Sequence, residues 1–154
     1  MAKRKPFNRE LYEQYDELAK QYAIAILESS KLQVRANDKK TAVDLIVFDS
    51  NSDLFFVEVE IKKYIKPKEL FLFDTLHIPQ RKNKYCNLEL PTLFMLLSEC
   101  GKKFMCVWDK FVLTSPTKEV ANKYVSNGEL FFDVNIKDYV DNSIDKALKR
   151  KWKR

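Results

Sequence analysis

Two apolar runs separated by five polar residues leave the middle of this chain little choice of structure. The runs are Thr41-Ala42-Val43-Asp44-Leu45-Ile46-Val47-Phe48 and Leu54-Phe55-Phe56-Val57-Glu58-Val59-Glu60-Ile61-Lys62-Lys63, and Asp49-Ser50-Asn51-Ser52-Asp53 lies between them. Rich in β-branched and aromatic side chains, they predict the two arms of a β-hairpin. Period-two alternation puts Glu58, Glu60 and Lys62 on one face of the second arm. A tight connection centred on or between Asn51 and Ser52 makes paired residue numbers sum to about 102 to 104, which sets Asp44 opposite Glu58 or Glu60 on that face. Ile46, Phe48 and Phe56 share the face, so it is expected to be covered by other structure. Carboxylates at the edge of a covered face are costly unless a cation holds them. The pattern therefore predicts a divalent-metal site with a lysine beside it.

A chain of 154 residues that is 45% hydrophobic and has two glycines is long enough for one well-packed domain, expected over residues 1–154, and short for two. Its 28 basic residues against 22 acidic ones give a formal charge of +6, with a pI of about 9.1. That balance favours polyanionic partners. Cys86, Cys100 and Cys106 are odd in number without close paired spacing, and His77 is the single histidine available to complete a zinc site. Free, partly buried thiols are expected rather than structural zinc or a disulfide framework. No apolar run approaches the roughly 20 residues of a membrane span. The basic N-terminus leads into a charged helical pattern instead of a signal-peptide core. The expected setting is cytoplasmic and reducing, with no membrane partner.

Phe7, Leu11, Tyr15, Leu18, Tyr22 and Ile26 recur at helical spacing. They predict an amphipathic helix from about Asn8 to Ser29, with Asn8 as N-cap and Phe7 stapled on Tyr12. Leu32 and Val34 alternate with Gln33 and Arg35 in a short strand within Lys31 to Ala36, before a polar connection at 37–40. After the hairpin the pattern is ambiguous: Pro67 opens a short helix through Phe73, and Pro79 breaks whatever follows. Thr92 to Leu97 reads as a buried strand, with Phe104 to Trp108 as its partner after a turn around Gly101 and Phe111 to Leu113 continuing the sheet. Ser115-Pro116 predicts a helix to about Tyr124, with serine as cap and proline in the first turn. Leu130 to Val134 reads as a strand. Asp138 to Trp152 reads as a C-terminal helix with Tyr139, Ile144 and Leu148 inward and a basic tail.

The order of helix, strand, two-stranded hairpin, crossover and strand, with Asp44 on the second strand and an acidic pair on the third, resembles the PD-(D/E)XK nuclease superfamily. The resemblance covers roughly residues 8–98 and rests on Val43-Asp44-Leu45 and Val57-Glu58-Val59-Glu60-Ile61-Lys62. Asn8-Arg9-Glu10-Leu11 is also similar to the opening of the first helix in archaeal Holliday-junction resolvases. What the resemblance implies is an α/β fold of restriction-endonuclease type, with a mixed sheet flanked by helices on an αβββαβ core. It further implies a Mg²⁺- or Mn²⁺-dependent endodeoxyribonuclease hydrolysing DNA phosphodiester bonds, branched DNA among its substrates, in keeping with a phage or mobile-element protein. Two alignments stand: Glu58 as the acidic residue with Glu60 where lysine is expected, an E-x-E variant, or Glu60-Ile61-Lys62 as E-x-K itself. Both keep Asp44, and both keep Lys62 on the same face.

On the first alignment the implied metal ligands are Asp44 and Glu58, joined by the Val59 carbonyl. Glu60 is then a further ligand or the water-orienting base, and Lys62 contacts the attacking water or the phosphate. Glu10 and Glu17, seven apart on the first helix, offer the additional acid found in some family members. Lys63, Lys66, Lys68, Arg81, Lys82 and Lys84 follow the acidic strand with Tyr64 and Tyr85 among them, a composition suited to a phosphate-lined groove, and His77 lies within reach of the same segment. The basic tail from Lys146 to Arg154, Lys149, Arg150, Lys151 and Lys153 included, suits either nonspecific nucleic-acid binding or a favourable interaction with its own helix dipole. Cleaving two strands needs two sites, which a homodimer of this chain would provide. Two other readings compete: a non-catalytic nucleic-acid-binding protein on the same fold, marked by Glu at the lysine position, and a charged outer strand that merely faces water.

Overall fold

The computed structural model describes residues 9–39, 42–62, 65, 74–120 and 128–152, with the backbone alone given for 9–13, 120 and 151–152. It opens with α1 (Arg9–Ser29), followed by β1 (Gln33–Ala36) and the predicted hairpin, β2 (Leu45–Phe48) and β3 (Asp53–Ile61). Ala19, Ala23 and Leu27 of α1 lie fully buried. They are four residues apart, and the predicted stripe of Tyr15, Leu18, Tyr22 and Ile26 is half-buried along its flank. Two alanines at the contact let the helix approach the sheet closely, so the larger side chains pack to either side. The helix ends where Lys31 adopts φ 65°, with Leu32 N–H donating to the Leu27 carbonyl and Lys31 N–H to that of Glu28. This is the left-handed C-terminal stop usually made by glycine.

The hairpin turn is tied by Asp49, whose Oδ1 accepts the N–H groups of Asn51 and Ser52 at 2.8 and 2.9 Å. Its strands pair as Leu45 with Val57, Ile46 with Phe56 and Val47 with Phe55, before a one-residue bulge at Leu54 that pairs Phe48 with Asp53. β5 (Thr92–Leu97) runs parallel to β3, and β6 (Phe104–Trp108) runs antiparallel to β5. The result is a five-stranded mixed sheet in the order β1-β2-β3-β5-β6. The parallel step needs a crossover. Its described part is β4 (Thr75–Pro79) and a 3₁₀ helix (Gln80–Tyr85); the helix predicted from Pro67 to Phe73 falls outside the described residues.

Three sequence expectations change in the second half. Phe111 to Leu113 forms the helix α2 (Asp109–Leu113) instead of extending the sheet, with Asp109 Oδ1 accepting the Lys110 N–H at 2.9 Å and Val112 fully buried. Ser115 does not start a helix: its hydroxyl turns back to the Phe111 carbonyl at 2.7 Å, and Thr117–Val120 becomes β7, paired with β8 (Glu129–Asn135). Residues 121–124 of that predicted helix lie outside the described residues. The C-terminal helix is split into α3 (Ile136–Tyr139) and α4 (Ile144–Trp152). The break is held by Asp141, whose backbone exchanges hydrogen bonds of 2.8 and 2.9 Å with Cys106.

α1 and α4 cover one face of the five-stranded sheet, where Leu45, Val47, Val57, Val59, Met95 and Trp108 meet Ala23, Leu27, Ile144 and Ala147. Trp108 donates its indole N–H to the Ala147 carbonyl at 2.7 Å, fastening α4 down. On the other face a second sheet, in the order β4-β8-β7, sets Leu76, Ile78, Phe132 and Val134 against Phe94, Leu96, Met105 and Val107. The chain is thus an α/β protein built on a five-stranded mixed sheet flanked by helices. Among the described residues no helix is long and apolar enough to cross a membrane.

Candidate active site

The hairpin register continues past its last ladder pair, Leu45 with Val57, so the next facing residues are Asp44 and Glu58. β2 gives out at this point. Asp44 Oδ2 takes the Val59 N–H at 3.0 Å, standing in for a strand carbonyl. Its other oxygen lies 3.9 Å from Nζ of Lys20, on α1. Glu58 points away from α1, among the side chains beneath the second sheet, and is 6% exposed. Its carboxyl is within hydrogen-bonding reach of Asp44 and of the Tyr85 hydroxyl. Burial, the bond to Asp44 and the charge of Asp44 raise its pKa to about 9, against the opposing pull of Lys82. At neutral pH the Asp44–Glu58 pair therefore holds a proton.

Glu60, two residues on and on the same face, is paired with two ammonium groups: Lys62 Nζ at 3.1 Å and Lys82 Nζ at 3.4 Å. Burial opposes its ionisation, but the two lysines outweigh that and hold its carboxyl below the ordinary range. Lys82 also lies 4.0 Å from Glu58 Oε2, with its side chain 11% exposed. It reaches inward because a 3₁₀ helix has three residues per turn, which places Lys82 and Tyr85 on the same side. Both meet Glu58. The far end of this short helix is pinned by Thr92 of β5, fully buried, whose hydroxyl donates to the Tyr85 carbonyl at 2.6 Å.

Asp44, Glu58, the Val59 backbone, Glu60 and Lys62 thus come together at the end of the hairpin. The three acids do not converge on one point, and among the described residues no three His, Cys, Asp or Glu side chains form a group able to hold a metal. Lys82, expected on a phosphate-binding surface, is instead buried between the glutamates. Arg81 is exposed and paired with Glu129 at 3.3 Å. His77 sits across from Asp133 in the second sheet, its Nε2 at 3.1 Å from a carboxylate oxygen without hydrogen-bond geometry, and it tilts over Phe131. Lys84 is exposed over the Tyr85 ring. Lys63, Lys66 and Lys68 lie outside the described residues, as does the side chain of Glu10; Glu17 is exposed. Arg150 of the basic tail is locked to Asp141 at 2.8 and 3.1 Å and to the Asp138 carbonyl.

Two residues of this site carry no acidic-motif signal. Lys20 reaches Asp44 from α1 and is tied to Asp16 one turn earlier at 3.1 Å; its burial is outweighed by these two carboxylates, which raise its pKa. Tyr85 is set in place by the 3₁₀ helix, and burial together with Glu58 and Asp44 pushes its hydroxyl up to about 12. A groove of about 730 Å³ runs beside the pair, lined by Lys39, Val43, Phe56, Lys84, Tyr85 and Leu90 among others.

A solved structure of a nuclease from a fusselovirus is similar to this chain at a TM-score of 0.41 and 14% identity, over 86% of this chain and 90% of that one. No protein-family model and no curated protein sequence matches it. What the site can do follows from its own donors. Hard carboxylate oxygens, one of them kept protonated by burial and by its neighbour, suit a hard divalent cation, whose charge relieves the repulsion that the shared proton now relieves. Ammonium groups on both sides, from Lys20 and Lys82, suit an anionic substrate.

Proposed function

We propose that this chain is a Mg²⁺- or Mn²⁺-dependent nuclease of the PD-(D/E)XK type acting on DNA. The observation that carries this reading is the Asp44–Glu58 carboxyl pair at the end of a hairpin, beside a parallel strand, with a buried lysine against it. A purely structural hairpin gains nothing by burying two acids against each other. Asp44, Glu58 and the Val59 carbonyl would hold the ion, and Glu60, held by its two lysines outside that pair, would orient the attacking water. When bound, the ion supplies charge neutralisation at the phosphate oxygens and acidifies water. One of the two lysines flanking Glu60 holds the water or the phosphate in line. The groove along Lys39, Lys84 and Tyr85 receives the neighbouring nucleotides, and cleavage of both strands of a duplex or a junction takes two copies of the chain.

The test is cleavage of duplex, single-stranded and branched DNA with Mg²⁺ or Mn²⁺. Asp44→Ala or Glu58→Ala should abolish cleavage and leave binding largely intact, because the lost carboxylates remove the ion but reduce repulsion toward phosphate. Wild-type protein that binds DNA and cuts none of these substrates would leave a non-catalytic binding protein as the reading.

A further inference from the structure

Two lysines flank the acidic strand, and they are not placed equivalently. Lys62 directly follows β3, its N–H donating to the Leu97 carbonyl at 2.8 Å, and meets one oxygen of Glu60 at 3.1 Å. Its Cα lies four residues beyond Glu58, about 13 Å along an extended strand. Lys82 comes from outside the sheet and contacts the other oxygen of Glu60 at 3.4 Å and Oε2 of Glu58 at 4.0 Å. Among the described residues it is the cation that the ion-pair geometry sets against Glu58. An ammonium has three N–H donors. Glu60 is close enough to engage one of them, and the 4.0 Å separation from Glu58 is a charge contact without a hydrogen bond, so the ammonium can turn a donor to a phosphate oxygen or a water at the Asp44–Glu58 pair.

Resting on the nuclease reading above, we propose that Lys82, delivered by the 3₁₀ helix from outside the acidic strand, is the catalytic lysine of this site, facing the scissile phosphate or the attacking water. Lys62 serves to neutralise and orient Glu60. The local geometry gives the reason for this division of labour. With glutamate at position 60, the strand itself has no cation next to Glu58, and the 3₁₀ helix provides one. Pro79 ends β4 and fixes the start of the helix, and three-residue periodicity aligns Lys82 with Tyr85. The hydroxyl of Thr92 anchors its far end to the strand that lies beside β3. Burying a lysine side chain to 11% exposure is costly unless its charge is used.

The deciding experiment measures single-turnover DNA cleavage at saturating Mn²⁺, Mn²⁺ affinity by calorimetry, and Tm, for wild type, Lys82→Met, Lys82→Arg and Lys62→Met. The expected result is a loss of about 100-fold or more in cleavage rate for Lys82→Met, with Mn²⁺ affinity unchanged or tighter, and a loss under about tenfold for Lys62→Met. Lys82→Arg, which keeps the charge and the fold, should fall between wild type and Lys82→Met. A larger loss in Lys62→Met, or wild-type cleavage by Lys82→Met, overturns the assignment alone. So does a Lys82→Met that loses Mn²⁺ affinity and Tm together with both restored by arginine, because that is the signature of a structural ion pair. A wild-type protein inert toward every substrate overturns the nuclease reading and the assignment with it.

Discussion

The Asp44–Glu58 pair keeps its proton through neutral pH because burial, a hydrogen-bonded carboxyl and the negative charges of Asp44 and Glu60 outweigh the single ammonium of Lys82. Between an unfolded value of 4.5 and a folded value of about 9, the folded protein binds this proton and the unfolded chain does not. Its contribution to stability is therefore full below the lower value and is lost as pH rises through the upper one. Urea denaturation in the presence of a chelator should show stability falling from pH 6 to pH 9, and Glu58→Gln should flatten that slope and be the more stable protein at pH 9. Adding Mn²⁺ at pH 9 should restore stability to wild type and do little for the variant. The pairing behind this behaviour was readable in advance, since alternation fixes the face and turn length fixes the register. The position of Lys82 was not, because the direction of one side chain in a segment of Arg81, Lys82 and Lys84 depends on a helix type that those residues do not announce.

The elements that local signals described well are those whose partners are near in sequence: α1, the β2–β3 hairpin, and β5 with β6. Those that differ from expectation carry a local signal that competes with their pairing. Thr117–Val120 carries a helix-start signal in Ser115-Pro116, yet it pairs with β8, and the serine spends its hydroxyl on α2. The turn joining β5 to β6 gives a direct test of packing between elements. Gly101 has φ 72°, and a Cβ there would lie 2.5 Å from the Tyr22 ring of α1. Gly101→Ala should cost about 2 kcal/mol or more, read as a lower urea midpoint with the slope unchanged, since left-handed backbone strain and the clash add. Thr92→Val, close in volume, removes the hydroxyl that holds the 3₁₀ helix. It should slow DNA cleavage more than it weakens DNA binding, because Lys82 and Tyr85 lose their anchor while the groove keeps its cations.

Over the whole molecule the count of 28 basic residues overstates what is free to meet phosphate. Arg35 is paired with Asp53, Lys20 with Asp16, Arg81 with Glu129 and Arg150 with Asp141, and Lys82 is buried. Ion pairs of this kind must be broken or shared before their cations can neutralise a backbone, so they add little to affinity. Lys39 and Lys84 are exposed at the groove beside Asp44, and Lys84 lies over a tyrosine ring on which a base can stack. Each lysine that displaces a counterion adds about one unit to the slope of log affinity against log salt. With Ca²⁺ in place of Mg²⁺ to prevent cleavage, binding to DNA should weaken steeply with added salt. The Lys39→Ala, Lys84→Ala double variant should lower the slope by about two units, whereas Arg81→Ala should leave it nearly unchanged. Equal slopes in all three proteins would move the phosphate path away from this groove, and salt-independent binding would remove the electrostatic basis for a nucleic-acid substrate altogether.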